Sequence, residues 1–300
     1  MDVPCSTASL VADEPLIGSA PHARGWVCLE QDGPWGAKAW TSSHLDPAVG
    51  AAIEAAASAH QVRPSLIRRP GRHADAHGST TRTVLVAHAC PGATWLLGGR
   101  VSDPRDLLDL DWSAVEAGDR EAVVASLPVL GPVLPQLLVC TNGTRDTCCA
   151  RLGRPVAAAA AARFPGRVWE VTHTSGHRFA PTTVLLPSGS LHGRVLDAAP
   201  LLEAESEGQL VLDGYRGRSA WEPDAQVVED HVRRTFAITG LDDLAVRAAG
   251  ADWQVDHRDG RSWTVSVTAY DEGERPESCG KAAKPVTRHH ADLVETTLAD

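Results

Sequence analysis

Short apolar runs alternate with helical periods along most of the chain, and their order predicts the architecture. The segment "GWVCLEQ" (Gly25 to Gln31) reads as a strand, and "LDPAVGAAIEAAASAHQV" (Leu45 to Val62) as an alanine-rich helix opened by Asp46-Pro47. Two strands follow, "RTVLVAHA" and "ATWLLGGRV", folded back across the Cys90-Pro91-Gly92 turn, and then a helical stretch from about Pro104 to Ala117. Strand, helix, strand pair, helix is the alternation of an α/β layer.

Three prolines and a glycine in "PVLGPVLP" (Pro128 to Pro135) mark a boundary or linker, and a second cycle begins beyond it. The run "VLPQLLVC" (Val133 to Cys140) is apolar enough for a strand buried on both faces. "RPVAAAAAARF" (Arg154 to Phe164) predicts a helix with Pro155 in its first turn, and "RVWEVTH" (Arg167 to His173) another strand. The intervening helix makes a right-handed parallel βαβ unit the simplest join. "APTTVLLPSGSLHGRVL" (Ala180 to Leu196) predicts an antiparallel hairpin around Pro187-Ser188-Gly189. "AWEPDAQVVEDHVRRTFA" (Ala220 to Ala237) predicts an amphipathic helix with Val227, Val228, His231, Val232 and Phe236 along one side; a hairpin turning at Asp259-Gly260 follows. The two halves look alike in element order, without a strong residue-level repeat. The expected fold is α/β, with mixed sheets, a parallel βαβ unit, an antiparallel hairpin and helices on both faces.

Composition narrows the function classes. At 300 residues, 43% hydrophobic and 22% charged, the chain can bury two sizeable cores. A formal net charge of -10 argues against a nucleic-acid partner, although "RPSLIRRPGRH" (Arg63 to His73) offers a local basic face. No apolar run approaches membrane-spanning length, and "MDVPCSTASLVADEPL" has neither a basic n-region nor a continuous apolar h-region, so the expectation is a soluble cytoplasmic protein with no membrane partner. Glycine-containing stretches match neither a phosphate loop nor a dinucleotide fingerprint, so a bound nicotinamide or flavin is not implied.

The candidate chemistry lies in "LLVCTNGTRDTCCARLG" (Leu137 to Gly153), which holds three of seven cysteines; Cys5, Cys28, Cys90 and Cys279 are scattered singly. In a reducing compartment such a cluster points to metal binding or redox chemistry. If the strands ending at Cys140 and His173 are parallel neighbours, the loops "CTNGTRDTCC" and "HTSGHRF" leave the sheet at the same edge, where α/β folds place their sites. Cys140, Cys148 and Cys149 then approach His173 and His177. Two thiolates with two imidazoles suit a zinc ion or a 2Fe-2S centre with mixed ligands. A second pair, His289-His290, is expected on a solvated surface.

"CTNGTRDTCCARLGRP", "HTSGHRFAPT" and "LLPSGSLHGRV", together with "GPWG" (Gly33 to Gly36) and "CSTASLVADEPLIGSA", resemble the sucrase/ferredoxin-like family. The resemblance implies two thioredoxin-like halves: residues 1–130 without a cluster, and residues 131–300 as a ferredoxin domain with its cluster-binding core at 134–196 and a C-terminal helix and β-hairpin. It implies a 2Fe-2S cluster held by Cys140, Cys149, His173 and His177, with Pro181 entering its hairpin through a cis bond. Motif spacing alone assigns the second thiolate to Cys149 and leaves Cys148 as a ligand, a spare or an oxidation-sensitive neighbour. Arg145 and Arg178 are candidates to face cluster sulfur or a partner, and Asp146 to orient a histidine or cap the next turn.

The leading expectation is a cytoplasmic electron carrier or redox sensor working with a protein reductase or acceptor. A zinc protein using the same four ligands is the alternative. A thiol-disulfide oxidoreductase is a third reading, opposed by the missing Cys-x-x-Cys and the unexplained histidines. No carboxylate pair stands out in the strand-end loops, so the sequence does not support sucrose hydrolysis.

Overall fold

In the computed structural model, which describes residues 3–71 and 80–297, a short helix α1 (Cys5–Val11) precedes the first α/β half. That half runs β1 (Gly25–Glu30), α2 (Pro47–Ser58), β2 (Val62–Arg68), β3 (Arg82–His88) and β4 (Trp95–Val101). The Asp46 side chain accepts from the Ala48 amide at 2.9 Å, which stops α2 from fraying where Pro47 opens it. The stretch expected as one helix from Pro104 to Ala117 is instead a 3-10 turn, Pro104–Leu108, followed by α3 (Trp112–Ala117) and α4 (Arg120–Ser126). The break has a local cause, because Asp111 and Asp119 each cap a new helix start, accepting from the Ala114 and Ala122 amides. A two-residue strand, β5 (Gly131–Pro132), pairs with β4 within the stretch expected as a linker.

The second half repeats the order with β6 (Gln136–Cys140), α5 (Thr147–Arg163), β7 (Val168–Val171), β8 (Thr183–Leu186) and β9 (Ser190–His192). Then come α6 (Ala199–Ser206) and β10 (Tyr215–Arg218). The expected start of the long helix is corrected by seven residues. It begins at Thr147, and Pro155 lies inside it rather than in its first turn, because the Asp146 carboxylate accepts from the Cys148 amide at 2.8 Å and starts the helix there. Cys148 and Cys149 are therefore helical, where the sequence placed them in a loop.

Both halves belong to one ten-stranded sheet, ordered β10-β9-β8-β6-β7-β2-β1-β3-β4-β5. Within it β2-β1-β3-β4 and β7-β6-β8-β9 have the same order and sense, the first two strands parallel and the rest antiparallel. The seam is antiparallel, with Ile67 opposite Val171 and Arg68 opposite Glu170. Alternation along the strands divides the core. Val27 and Leu29 join the α2, α3 and α4 side, Leu137 and Val139 join the α5 and α6 side, and Trp26, Cys28, Leu138 and Cys140 share one cluster on the opposite face with Cys5 of α1.

Beyond Trp221, α7 (Pro223–Phe236) packs through Val228 and Val232 on a separate antiparallel sheet of β11 (Leu244–Ala249), β12 (Asp252–His257), β13 (Ser262–Pro276) and β14 (Ala283–Thr297). The expected C-terminal hairpin is thus the β12–β13 part of a four-stranded sheet. Arg72 and His73 of the basic stretch lie outside the described residues. No helix among the described residues is long and apolar enough to cross a membrane.

Candidate metal centre

Two parallel strands bring the predicted residues together. Cys140 lies opposite Val171, and the Thr141 amide donates to the Val171 carbonyl at 3.1 Å, so the chain after β6 and the chain after β7 leave the sheet side by side. From there the Asp146 cap turns the first chain into α5 and sets Cys149 back against Cys140. Gly153, one turn further, lets the helix rest on the Cys140 carbonyl, since a Cβ there would collide with that oxygen.

The His173-x-x-x-His177 loop is shaped by Gly176 in the left-handed region (φ 67°), where a side chain would also run into the Arg216 guanidinium. His173 and His177 stack with ring centroids 4.1 Å apart, and His177 Nδ1 lies 3.4 Å from Cys149 Sγ. The Ser175 amide donates to His173 Nδ1 at 3.2 Å.

Electrostatics prepare both donor types. The hydrogen bond from Cys149, with the amides of Asn142 and Thr174, outweighs burial and draws the Cys140 thiol down to about 7. The same pairing, with burial, pushes Cys149 up, so one proton is held between two sulfurs. Burial drives the His173 imidazolium far below its usual range and lowers that of His177, and Arg145 and Arg216 act in the same direction. Both rings are therefore neutral, as a metal ligand must be.

Two arginines outside the expected site residues, Arg63 of the stretch expected as a local basic face and Arg216, frame this loop. Arg63 of β2 donates to the His173 carbonyl at 2.9 Å, and fully buried Arg216 of β10 reaches the Ser175 carbonyl at 3.3 Å and the Ser19 hydroxyl at 3.0 Å. The first half also touches the loop after β6, because Asn142 donates to the Gly36 carbonyl at 3.2 Å from within the "GPWG" turn. Among the flanking candidates, Arg145 is exposed, Arg178 is bonded to buried Glu14 at 2.6 Å, and the Ala180-Pro181 bond is cis.

Cys148 faces a different group. Its sulfur lies 3.4 Å from Cys279 Sγ and 3.8 Å from Cys5 Sγ, and the Cys5 sulfur is 3.5 Å from Asp146 Oδ2. The four ligand atoms of Cys5, Asp146, Cys148 and Cys279 lie within 4.8 Å of one another, close enough to hold a metal ion. Cys5 and Cys279, 274 residues apart, carried no spacing signal; only the singly scattered, odd cysteine count hinted at them. The His289-His290 pair is spoken for separately, His289 by Asp224 at 2.5 Å and His290 by Asp292 at 3.2 Å.

The fold and site define an α/β protein of two like-ordered halves, with thiols and neutral imidazoles gathered at the strand ends of the second half. No curated protein and no solved structure matches the chain. Residues 16–217 match the sucrase/ferredoxin-like family, and the chain belongs to that family.

Proposed function

We propose that the chain is a 2Fe-2S protein that transfers or senses single electrons, with Cys140, Cys149, His173 and His177 as cluster ligands. The observation that carries this reading is the meeting of two thiols and two imidazoles, held neutral by burial, where β6 and β7 leave the sheet side by side. The donor set fits a mixed thiolate and imidazole cluster. Bound, the cluster supplies a one-electron couple, raised in potential relative to an all-thiolate centre because neutral rings replace two negative charges.

The chain's own residues do the rest. The Cys149 hydrogen bond, with the Asn142 and Thr174 amides, favours the Cys140 thiolate, and Arg63 and Arg216 fix the histidine loop and add buried positive charge beside it. Phe179, fully buried behind that loop, helps keep water out.

Protein purified anaerobically with iron and sulfide supplied should be red-brown, with two irons per chain and an electron paramagnetic resonance signal on reduction. His173→Cys should shift that spectrum, and Cys148→Ala should leave it intact. A colourless preparation refutes the cluster. A single zinc ion on the same residues is the second reading, favoured by the 3.4 Å sulfur to nitrogen separation, near the roughly 3.6 Å edge of one zinc tetrahedron. It predicts one zinc bound there and no visible absorbance.

A further inference from the structure

Three sulfurs and a carboxylate converge from segments that are remote in sequence. Cys5 opens α1, Cys148 lies in the first turn of α5, and Cys279 sits in the turn between β13 and β14. The Sγ separations are 3.8 Å for Cys5 and Cys148, 3.4 Å for Cys148 and Cys279, and 3.4 Å for Cys279 and Cys5. A tetrahedron built with zinc to sulfur bonds of about 2.3 Å has a sulfur to sulfur edge of about 3.8 Å. With a zinc to oxygen bond of about 2.0 Å, its sulfur to oxygen edge is about 3.5 Å, which is the observed separation of Cys5 Sγ and Asp146 Oδ2 at 3.5 Å.

We propose that Cys5, Cys148, Cys279 and Asp146 form a closed structural zinc site that staples α1 and the β13–β14 turn to the start of α5. The site is separate from the cluster ligands and stands whether or not they hold iron. Soft thiolates in a four-donor set with no open position suit zinc over magnesium or calcium. A 2Fe-2S cluster would place at most two of the three thiolates on one iron and set the third more than one tetrahedral edge away. A disulfide would join two sulfurs at about 2.05 Å and leave the third unused, whereas the three here form a nearly even triangle.

The surroundings are those of a finished site. Asp146 Oδ2 accepts from the Ser278 hydroxyl at 2.8 Å and the Cys279 amide at 2.9 Å, while Oδ1 accepts from the Cys148 amide. These bonds fix the carboxylate before any metal arrives. The Ser6 hydroxyl donates to Cys148 Sγ at 3.3 Å, and the Cys5 amide to Cys279 Sγ at 3.4 Å, the kind of bonds that stabilise thiolate charge.

A second tie links the same parts of the molecule without sulfur. Buried Glu14, just past α1, binds Arg178 of the histidine loop and Arg288 of β14. With α1 packed on the His177–Phe179 turn, zinc would fasten a cover over the histidine side of the proposed cluster.

The test uses the full-length protein, purified anaerobically without chelator and analysed for zinc and iron together. Wild type should carry about one zinc per chain in addition to any iron. Its zinc absorption fine structure should fit three sulfurs at about 2.3 Å and one oxygen. Cys5→Ser and Cys279→Ser should each lower the zinc retained against a competing chelator at least tenfold while iron and visible absorbance stay. Cys140→Ser should do the reverse, losing iron and keeping zinc, which separates failure of this site from failure of the cluster reading. The proposal is overturned by zinc content unchanged in the Cys5 and Cys279 variants, by wild type free of zinc, by a disulfide among the three cysteines in peptide mapping, or by a shell of two sulfurs and two nitrogens. The last measurement needs no variant and decides the matter even if a substitution prevents folding.

Discussion

Glu170→Gln tests whether the seam between the halves is held by charge. Glu170 Oε2 accepts from Arg68 Nη2 at 2.7 Å, Arg68 Nε at 2.9 Å and Thr141 Oγ1 at 2.8 Å, and both ionic partners are nearly inaccessible to solvent. Neutralising the carboxylate removes the charge paired with a buried guanidinium that keeps the Gly33 carbonyl at 2.9 Å and the face of Trp35 at 4.1 Å. Burial already disfavours the charged Arg68 more than Glu170 favours it, so little of the cost is cushioned. Breaking one side of a buried pair costs about 3–5 kcal/mol, whereas removing both sides together is often close to neutral. The expectation is a loss of about 3–5 kcal/mol for Glu170→Gln. Adding Arg68→Met to Glu170→Gln should recover most of it, a coupling of about 3 kcal/mol. Urea unfolding of the four proteins of the cycle, compared at matched slopes, measures both quantities. A Glu170→Gln loss under about 1 kcal/mol, or additive single and double variants, would refute the reasoning and make the seam a matter of backbone pairing alone.

Other substitutions and conditions reach different parts of the molecule. Gly153→Ala should destabilise by about 1–3 kcal/mol in spite of alanine's advantage of about 1 kcal/mol in a helix, because the new Cβ meets the Cys140 carbonyl; iron retained per chain should fall with it, and a variant as stable and as iron-loaded as wild type would contradict the close packing. Burial works against the Cys90 thiolate, but hydrogen bonds from His88 and from Arg24 at 3.3 Å outweigh it and lower the thiol's pKa. Iodoacetamide labelling of Cys90, followed by mass spectrometry, should therefore persist to lower pH than labelling of a peptide thiol, and a peptide-like pH profile would show that these two neighbours do not act on it. The reduction potential of the loaded protein should fall as pH rises through the titration of the ligand rings, by up to about 59 mV per unit for each coupled proton, because the reduced centre holds protons more tightly; a flat profile would count against histidine ligation.

The strands most legible in the sequence were those with little but apolar side chains to read. β1, β3, β6 and β7 are nearly continuous hydrophobic runs, and the parallel pairing of β6 with β7 was enough to place Cys140 and His173 at one edge. β2 was overlooked for the opposite reason. Its "VRPSLIR" carries a proline and two arginines, and what makes it a central strand is tertiary: Arg68 finds Glu170, and Arg63 lies over Trp26 and bonds the His173 carbonyl. The same blindness hid Arg216, whose partners Ser19 and Ser175 come from distant segments. The start of α5 is hidden in the sequence because Pro155 is a good first-turn residue, and only the bond from the Cys148 amide to Asp146 shows that the helix has already run two turns before it. The meeting of Cys5 with Cys279 had no local trace at all.

The antiparallel meeting of β2 with β7 also sets the two halves in a twofold-like relation. Equivalent strands of two like-ordered halves, paired edge to edge in opposite senses, have the arrangement by which two identical subunits join about a twofold axis. In a single polypeptide the two partners are free to differ in sequence. One has a thiol where its first strand ends, at Cys140, and the other has Glu30 at the matching end. The second strand of the first half instead walls the second half's site, Arg63 bonding the His173 carbonyl and Arg68 the Glu170 carboxylate, so substitutions in the first half should be least tolerated along this strand.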